Sequence, residues 1–310
     1  LKLFGPTRRV QECVCVHATA CGEAAPLLAL LGLRMESGVV TFHISDDFSV
    51  SGAPNGGYLA HLAVRAARGV VQQPDLLSLS TRYLRKALEN EDADFVVSPI
   101  AVGRSVSTVS VTLTQGGQPT STYLMTFGNL GRQSGPSFLG TLLWPPDLPL
   151  PEDDSLIDVL QHGQPLNRSP GYAKATLHKH LSLLVRRDCS FARSAMSGRV
   201  SPSKELSYEG WCGFVDGRTL DLQTSIWLVD ALPPPILTLM EIAWVPTLEL
   251  TVRCFARPAP GSHRLKLRYT CTACVNGLLE SETTVWDASG QLVARAGQLA
   301  LLKLPAASRL

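Results

Sequence analysis

Apolar positions follow the same order in both halves of this 310-residue chain: a helical pattern comes first, and segments of period two follow it. In the first half, Asn55 precedes a stretch from Tyr58 to Val71 that is apolar or small over most of a helix circumference. This predicts a buried helix with Asn55 as its N-cap. Strand-like segments rich in Val, Thr, Ser and aromatic residues follow at 77–84, 94–102, 105–114 and 120–127. The order predicts consecutive antiparallel strands packed on one long helix.

The second half repeats this plan, with a helix predicted near 221–232 that the proline run at 233–235 stops. We therefore expect an α+β fold in which two antiparallel sheets each wrap round a long central helix. The predicted boundaries are an N-terminal extension at 1–24, a first domain at 25–130, a Gly-, Pro- and Ser-rich linker at 131–204 and a second domain at 205–310.

The two halves also resemble each other directly. Segment 78–87 (SLSTRYLRKA) resembles 249–258 (ELTVRCFARP), and the turn at Gly117 resembles the turn at Gly290, with offsets of 171 and 173 residues. A duplication explains this register more simply than chance, and a period this long indicates repeated domains rather than a solenoid. One long buried helix with consecutive antiparallel strands describes a hotdog domain, so the duplication predicts a double hotdog.

Charge and composition exclude several classes of function. Lys and Arg total 28 against 26 Asp and Glu, and no basic block is present, so nucleic acid is not expected as a partner. The apolar run at 26–33 is far shorter than a membrane span and lacks the pattern of a signal peptide. We expect a soluble protein that is not secreted.

The eight cysteines are interpreted as buried free thiols, since they lie within apolar runs of a chain that is large enough to fold without disulfides. The Cys and His cluster at 13–21 matches no standard zinc spacing. Cys271 and Cys274 point to opposite faces if they lie on a strand, which argues against a redox pair. No metal or redox cofactor is expected.

The last three residues, Ser308, Arg309 and Leu310, are a variant of the C-terminal Ser-Lys-Leu address that the peroxisomal import receptor binds. If the tail is the true C-terminus, it predicts a peroxisomal location and this receptor as a partner. A tail that ends this way by accident leaves the cytoplasm as the expected location.

Three segments resemble the acyl-CoA thioesterase II group, also called the TesB-like or thioesterase-like superfamily. Residues 39–67 (VVTFHISDDFSVSGAPNGGYLAHLAVRAA) resemble its first-helix signature, in which a Gly-Gly pair opens the helix. Residues 244–251 (WVPTLELT) and 285–300 (VWDASGQLVARAGQLA) resemble its second-domain signatures. The resemblance covers roughly 25–127 and 208–304, and it implies hydrolysis of acyl-CoA or another acyl thioester without a cofactor.

The family uses an Asp, a Thr and a Gln of the second domain to hold and activate a water. The resemblance assigns these roles to Asp230 in SIWLVDALPPP, Thr247 in WVPTLEL and Gln298 in ARAGQLAL. Subtracting the repeat offset places their first-half counterparts near Leu76 for Thr247 and at Met125 for Gln298. The resemblance thus implies one site per chain.

Apart from the resemblance, the sequence around each of the three residues supports a catalytic role to a different degree. Asp230 is predicted late in an apolar helix, where burial and the negative end of the helix dipole raise a carboxylate pKa, as suits a general base. The alternative is an Asp that only bonds the following turn. Gln298 is the polar residue on a strand face of small apolar residues, and it is either a functional amide or a satisfied core amide.

Thr247 has the weakest pattern, because strand alternation places it on the polar side with Glu249 unless Pro246 starts the strand irregularly. Gly56 and Gly57 open the first helix, whose free N–H groups can polarise a thioester carbonyl. Tight packing explains the two glycines equally well.

Two other functions stay open. A double-hotdog lyase of the dehydratase type would pair a first-domain histidine with Asp230, but the dehydratase motif is absent around His17, His43 and His61. A non-catalytic acyl-binding protein is the other alternative. The sequence leaves undecided the acyl group, the choice between CoA and a carrier protein, the residues that contact CoA and whether the chain forms a homo-oligomer.

Overall fold

The computed structural model describes residues 38–164, 175–200 and 205–305. The predicted extension at 1–24, with His17 and the cysteine cluster at 13–21, lies outside the described residues. So does the predicted address at 308–310.

The described part of the first half, from residue 38 onward, contains one α-helix and seven strands. In chain order these are β1 (Gly38–Ile44), the short hairpin of β2 (Ser49–Val50) and β3 (Ala53–Pro54), helix α1 (Gly56–Arg68), and the four long strands β4 (Asp75–Tyr83), β5 (Glu91–Val102), β6 (Ser107–Gln115) and β7 (Gln118–Gly128).

Helix α1 begins as its sequence predicts. The Asn55 side chain accepts a hydrogen bond from the Tyr58 backbone N–H at 3.0 Å, which satisfies one of the free donors at the helix start. The helix ends at Arg68, three residues before the predicted end, and Gly69 caps it. Fully buried Ala60 and Ala63 are among the small side chains that let it pack closely on the strands β4–β7.

Seven strands and three short α-helices lie in the second half, counted over the residues that the structure describes. In chain order these are β8 (Leu156–Asp158), α2 (Val159–His162), β9 (Leu181–Arg186), α3 (Ser190–Ser197), β10 (Ser207–Phe214), α4 (Leu222–Leu228), β11 (Thr247–Cys254), β12 (Arg264–Val275), β13 (Leu278–Trp286) and β14 (Leu292–Leu301).

Part of the predicted linker contributes strands to the sheet of the second half. Strands β8 and β9 lie within 131–204, and β9 pairs antiparallel with β10. The residues Leu181, Leu183 and Val185 of β9 are fully buried, so this segment completes the core rather than connecting two domains. The Gly- and Pro-rich stretches at 131–151 and 163–170 dominate the composition of 131–204 and hide the short strands between and after them.

Helix α4 is shorter than the predicted helix at 221–232. Asp221 caps it through a reciprocal bond pair with Thr224, and the helix ends at Leu228. The proline run at 233–235 removes N–H donors and restricts the residue before it, so the chain leaves the helix as a turn. Asp230 therefore lies in this turn and not in the helix.

The described strands of both halves form one continuous antiparallel sheet and not two separate sheets. Twelve strands are ordered β1-β5-β6-β7-β4-β11-β14-β13-β12-β10-β9-β8, while β2 and β3 pair separately. The halves join where β4 pairs with β11, and there Ser80 lies opposite Thr251. These two residues are 171 apart (251 − 80), the same offset as the sequence repeat. An approximate twofold axis therefore passes between them.

No described helix is long and apolar enough to cross a membrane.

Candidate active site

A pocket of about 660 Å³ lies where the two halves meet. The start of α1 and the end of β4 contribute Gly56 and Tyr83 from the first half. The turn after α4 and the strands β11 and β14 contribute Asp230, Thr247 and Gln298 from the second half. Four of the five residues that were predicted for the site line this pocket, and Gly57 contacts one of them, as described below.

Asp230 is held by hydrogen bonds from both halves. Its Oδ2 accepts from the Gly57 backbone N–H at 2.6 Å, and its Oδ1 accepts from Gln298 Nε2 at 2.5 Å. Asn55 Nδ2 donates to the Asp230 backbone carbonyl at 2.9 Å and lies 3.4 Å from Oδ2. The carboxylate thus receives its donors from Asn55, Gly57 and Gln298 rather than from the turn that follows it.

Burial raises the pKa of Asp230 to about 7, although hydrogen bonds from Gly57, Asn55 and Gln298 act in the opposite direction. The sequence predicted that the dipole of its own helix would raise the pKa of Asp230, and the structure shows a different helix beside the carboxylate. Asp230 contacts the N-terminal end of α1, whose dipole favours the carboxylate, so the dipole of a neighbouring helix lowers this pKa. Loss of solvation is the larger effect. A carboxyl group with a pKa near 7 that opens onto a pocket can accept a proton near neutral pH.

Gln298 connects the other two predicted residues. Its Nε2 donates to Asp230 Oδ1 at 2.5 Å and to Thr247 Oγ1 at 2.6 Å. Its Oε1 accepts from Tyr269 Oη at 3.3 Å and from Ser281 Oγ at 3.2 Å. These bonds fix the amide in one orientation. Since Thr247 Oγ1 already accepts from Gln298, the Thr247 hydroxyl is left as a donor.

A β-bulge explains how Thr247 reaches this cluster. Thr247 pairs with Ala300 while Glu249 pairs with Leu299, so the register of β11 against β14 shifts between them. The extra residue turns Thr247 to the face of Gln298 and away from the polar side on which regular alternation places it. The irregular strand start after Pro246 is present.

The two glycines of α1 have different environments. A Cβ on Gly56 would lie 2.7 Å from both Asp230 Oδ2 and Tyr83 Oη, and a Cβ on Gly57 would lie 2.6 Å from the Trp227 carbonyl oxygen. Both positions therefore need glycine for close approach. The Gly57 N–H is taken by Asp230, so it is not available to polarise a carbonyl. Gly56 still lines the pocket and, as the first residue of α1, has no partner within the helix for its N–H.

Two further residues of this site were missed by sequence reasoning. Asn55 was predicted only as a helix cap, and its amide also holds Asp230. Tyr83 places its buried hydroxyl near Gly56, where no described residue bonds it. Burial raises the pKa of Tyr83 well above its usual value, so the hydroxyl stays protonated. The Asn before two glycines was a usable signal, whereas a tyrosine in a strand carries none.

Of the histidines considered for a lyase, His43 and His61 are among the described residues, and both lie outside the pocket. His43 bonds Asp92 on exposed surface, and His61 lies beside the Gln223 carbonyl, so neither lines the pocket. Cys271 is buried and Cys274 is exposed. The register of β12 against β13 shifts between Cys271 and Ala273, so the regular alternation on which the prediction of opposite faces depended is interrupted there. Across 38–164, 175–200 and 205–305, no group of three or more His, Cys, Asp or Glu side chains is arranged to hold a metal ion.

Comparisons with known proteins agree with this architecture. A family model of the acyl-CoA thioesterase N-terminal domain matches residues 44–128, and one of the acyl-CoA thioesterase C-terminal domain matches residues 158–302. Together they span more than two thirds of the chain. Among curated protein sequences, none matches significantly.

Solved structures are similar over most of the chain. A thioesterase II-like protein from Thermobifida fusca has 25% identity and a TM-score of 0.71, covering 87% of this chain and 96% of its own. A hot dog fold protein from Alicyclobacillus acidocaldarius has 20% identity and a TM-score of 0.68, covering 87% and 93%. The acyl-CoA thioesterase II TesB2 from Mycobacterium marinum has 18% identity and a TM-score of 0.62, covering 83% and 92%. These structures share the hotdog fold.

Proposed function

Because the chain belongs to the acyl-CoA thioesterase family, we propose that it hydrolyses an acyl thioester to a free acid and a thiol in the pocket between its halves. The observation that carries the proposal is the bonded cluster of Asp230, Gln298 and Thr247. A carboxyl group with a pKa of about 7 at the pocket wall suits a base that is active near neutral pH.

In the proposed mechanism, Asp230 accepts a proton from a water molecule, and the water oxygen attacks the carbonyl carbon of the thioester. The carbonyl becomes an oxyanion in a tetrahedral intermediate. When the carbonyl re-forms, the carbon–sulfur bond breaks, and the proton held by Asp230 neutralises the departing thiolate. Gln298 holds Asp230 and Thr247 in place, and Thr247 contributes a hydroxyl to orient the water.

We assign the carbonyl-polarising role to the Gly56 N–H and the Tyr83 hydroxyl. Both groups border the pocket within reach of Asp230, and the hydroxyl stays protonated. Donors that are fixed in place before the reaction stabilise a developing oxyanion without reorganisation. Gly57, which the sequence analysis placed in this role, is assigned to orienting Asp230.

The remaining pocket wall favours an acyl-CoA as the substrate. Leu59, Leu232 and Leu301 are among its apolar residues, which suit an acyl chain. Three exposed cations also line it, Arg85, Lys86 and Lys303, and their charge suits the phosphates of CoA.

Thiol release from a panel of acyl-CoAs of increasing chain length tests the proposal, with a colorimetric thiol reagent as the readout. We expect turnover with at least one chain length, and turnover lower by roughly a hundred- to ten-thousand-fold with Asp230→Asn. If the wild-type protein binds acyl-CoA and releases no thiol across the panel, hydrolysis is wrong, and a lyase or an acyl-binding role replaces it.

A further inference from the structure

His178 is a polar residue of this pocket that has no role in the proposed mechanism. It lies in the 3₁₀ helix Thr176–His180 and lines the pocket together with Asp230. Its backbone carbonyl accepts a bond from Gln161, whereas its ring bonds no described residue. A half-buried imidazole in a pocket finds its partner in water or in a ligand.

The segment that carries His178 is held firmly. Gln161 Nε2 donates to the His178 carbonyl at 3.0 Å, and the neighbouring Leu177 is fully buried. Thr176 Oγ1 accepts from the Ser49 backbone N–H at 3.2 Å and so ties this segment to the first half. The His178 ring therefore occupies a defined place in the pocket wall.

The charge state of His178 limits what it can bind. Burial lowers the pKa of His178 to about 4, so the imidazole is neutral at neutral pH and has one donor and one acceptor nitrogen. A neutral ring of this kind complements an amide or a hydroxyl better than a phosphate or a carboxylate.

Ser51 is an independent sign of a polar ligand on the same side of the pocket. It lines the pocket, and its hydroxyl is buried without a partner among the described residues. Its φ of 58° lies in the left-handed region, where a residue with a Cβ is disfavoured. Strand β2, which ends one residue before Ser51, contacts the 3₁₀ helix of His178. The two unpartnered groups thus come from neighbouring elements.

We propose that His178 and Ser51 form a neutral polar subsite that binds an amide or hydroxyl group of the thioester substrate. The proposal rests on the proposed function, because it places this group beside the reacting thioester. Two parts of a substrate offer such chemistry: the pantetheine arm of the thiol, with its amides, and an acyl chain that carries a hydroxyl group.

Four thioesters separate these sources: octanoyl and 3-hydroxyoctanoyl groups, each on CoA and on propanethiol. The variants are His178→Phe, which keeps a ring without its nitrogens, and Ser51→Gly, which removes the hydroxyl and suits the left-handed backbone. His178→Asn, which keeps a donor and an acceptor, is the rescue variant. The controls are His180→Asn on the same 3₁₀ helix and Ser49→Ala, whose buried hydroxyl also lacks a partner but does not line the pocket.

We expect His178→Phe and Ser51→Gly each to raise KM roughly five- to tenfold for substrates with the recognised group, the effect of one neutral hydrogen bond. kcat should stay within about twofold, because the bond is equally present in the ground and transition states. A rise with both CoA thioesters assigns the subsite to the pantetheine arm. A rise with both hydroxyacyl thioesters assigns it to the acyl chain. His178→Asn should restore much of the lost affinity.

Unchanged KM values on all four substrates would overturn the subsite and leave the two groups hydrated by water alone. Equal rises in the two controls would overturn it as well. Binding of the non-hydrolysable thioether octyl-CoA, measured by calorimetry, separates this proposal from hydrolysis. A wild-type protein that hydrolyses nothing, yet loses affinity for this thioether on His178→Phe, refutes the proposed function and supports a pantetheine subsite. If hydrolysis fails and His178→Phe leaves unchanged the affinities for octyl-CoA and for its 3-hydroxyoctyl analogue, which presents the acyl hydroxyl as well, both proposals are wrong.

Discussion

The two halves of the sheet share their strand pairing and differ in what they bury at equivalent positions. Gln298 of β14 lies opposite Leu250, and its first-half counterpart Met125 of β7 lies opposite Leu79, the counterpart of Leu250. Met125 is fully buried among apolar residues, whereas Gln298 bonds Asp230 and Thr247. The duplicated scaffold therefore carries a polar cluster in one copy and ordinary core in the other.

The helices differ in a complementary way. The first helix, α1, has 13 residues and presents its capped, glycine-containing start to the pocket, while α4 has 7 residues and ends before Asp230. The early end of α4 frees the Asp230 turn to meet the N–H group of Gly57. The first half supplies the start of α1 and the second half supplies Asp230, so the site forms only where the two halves pack together.

The largest expected effect comes from Asp230→Asn, which keeps the shape of the second-half turn and removes the base. We expect kcat to fall roughly a hundred- to ten-thousand-fold, the span for losing general base catalysis, as measured by thiol release. Asp221→Asn is the matched control. Asp221 caps the start of α4, the helix that precedes the Asp230 turn, and Asn caps helices as well as Asp does. If Asp230→Asn keeps activity within a few-fold of wild type, Asp230 is not the base.

The same variant changes how stability depends on pH. The pKa of Asp230 rises from 3.8 to about 7 on folding, so the folded protein binds this proton more tightly than the unfolded chain does. The resulting stabilisation is present below about pH 4 and is lost as pH rises to about 7. Asp230→Asn should remove this loss and make the protein relatively more stable above pH 7, as measured by denaturant unfolding across the range.

Gln298→Met places the first-half residue type in the second half. We expect kcat/KM to fall roughly ten- to a hundredfold, because the base remains but Thr247 and the carboxylate lose their common donor. Measuring above pH 8 keeps Asp230 ionised, so that a change in its pKa does not dominate. An unchanged kcat/KM would mean that the amide is only a satisfied core group.

Met125→Gln is the reciprocal change. Met125 lies in the hydrophobic core and pairs with Leu79 and Val109, so an amide buried there meets apolar neighbours, and we expect the free energy of unfolding to fall by about 1–3 kcal/mol. Activity per folded molecule should not change. Met125→Leu is the control, since a volume-conserving swap costs less than about 1.5 kcal/mol. Equal stability of Met125→Gln and Met125→Leu would show that the first half accepts a polar group as readily as the second.

Local patterns were enough to predict much of this fold. The cap at Asn55 and the buried first helix follow from neighbouring residues, and the offset of 171 residues follows from comparing two short segments; the structure contains each of them. The single continuous sheet was not predictable in this way. It depends on the pairing of β4 with β11, whose residues are far apart in sequence and pair according to the geometry of the folded halves.

The candidate site was also predictable only where it depends on local sequence motifs. The motif resemblance named Asp230, Thr247 and Gln298, and these three lie together. The donation from Gly57 to Asp230 and the second bond of Asn55 cross from one half to the other, so no local pattern contains them. The bulge that turns Thr247 inward was suggested only by the proline before it.

The smallest expected effect tests the bond from the first half to the base. Asn55→Ser keeps a good helix cap and removes the side-chain amide that donates to Asp230. Because this donor stabilises the carboxylate, its loss should raise the pKa of Asp230 above about 7. The acid limb of the kcat/KM profile should then move to higher pH, with activity a few-fold lower at pH 7 and nearly restored above pH 8. A loss of activity that is equal at every pH would mean that Asn55 acts on the position of the turn and not on its protonation.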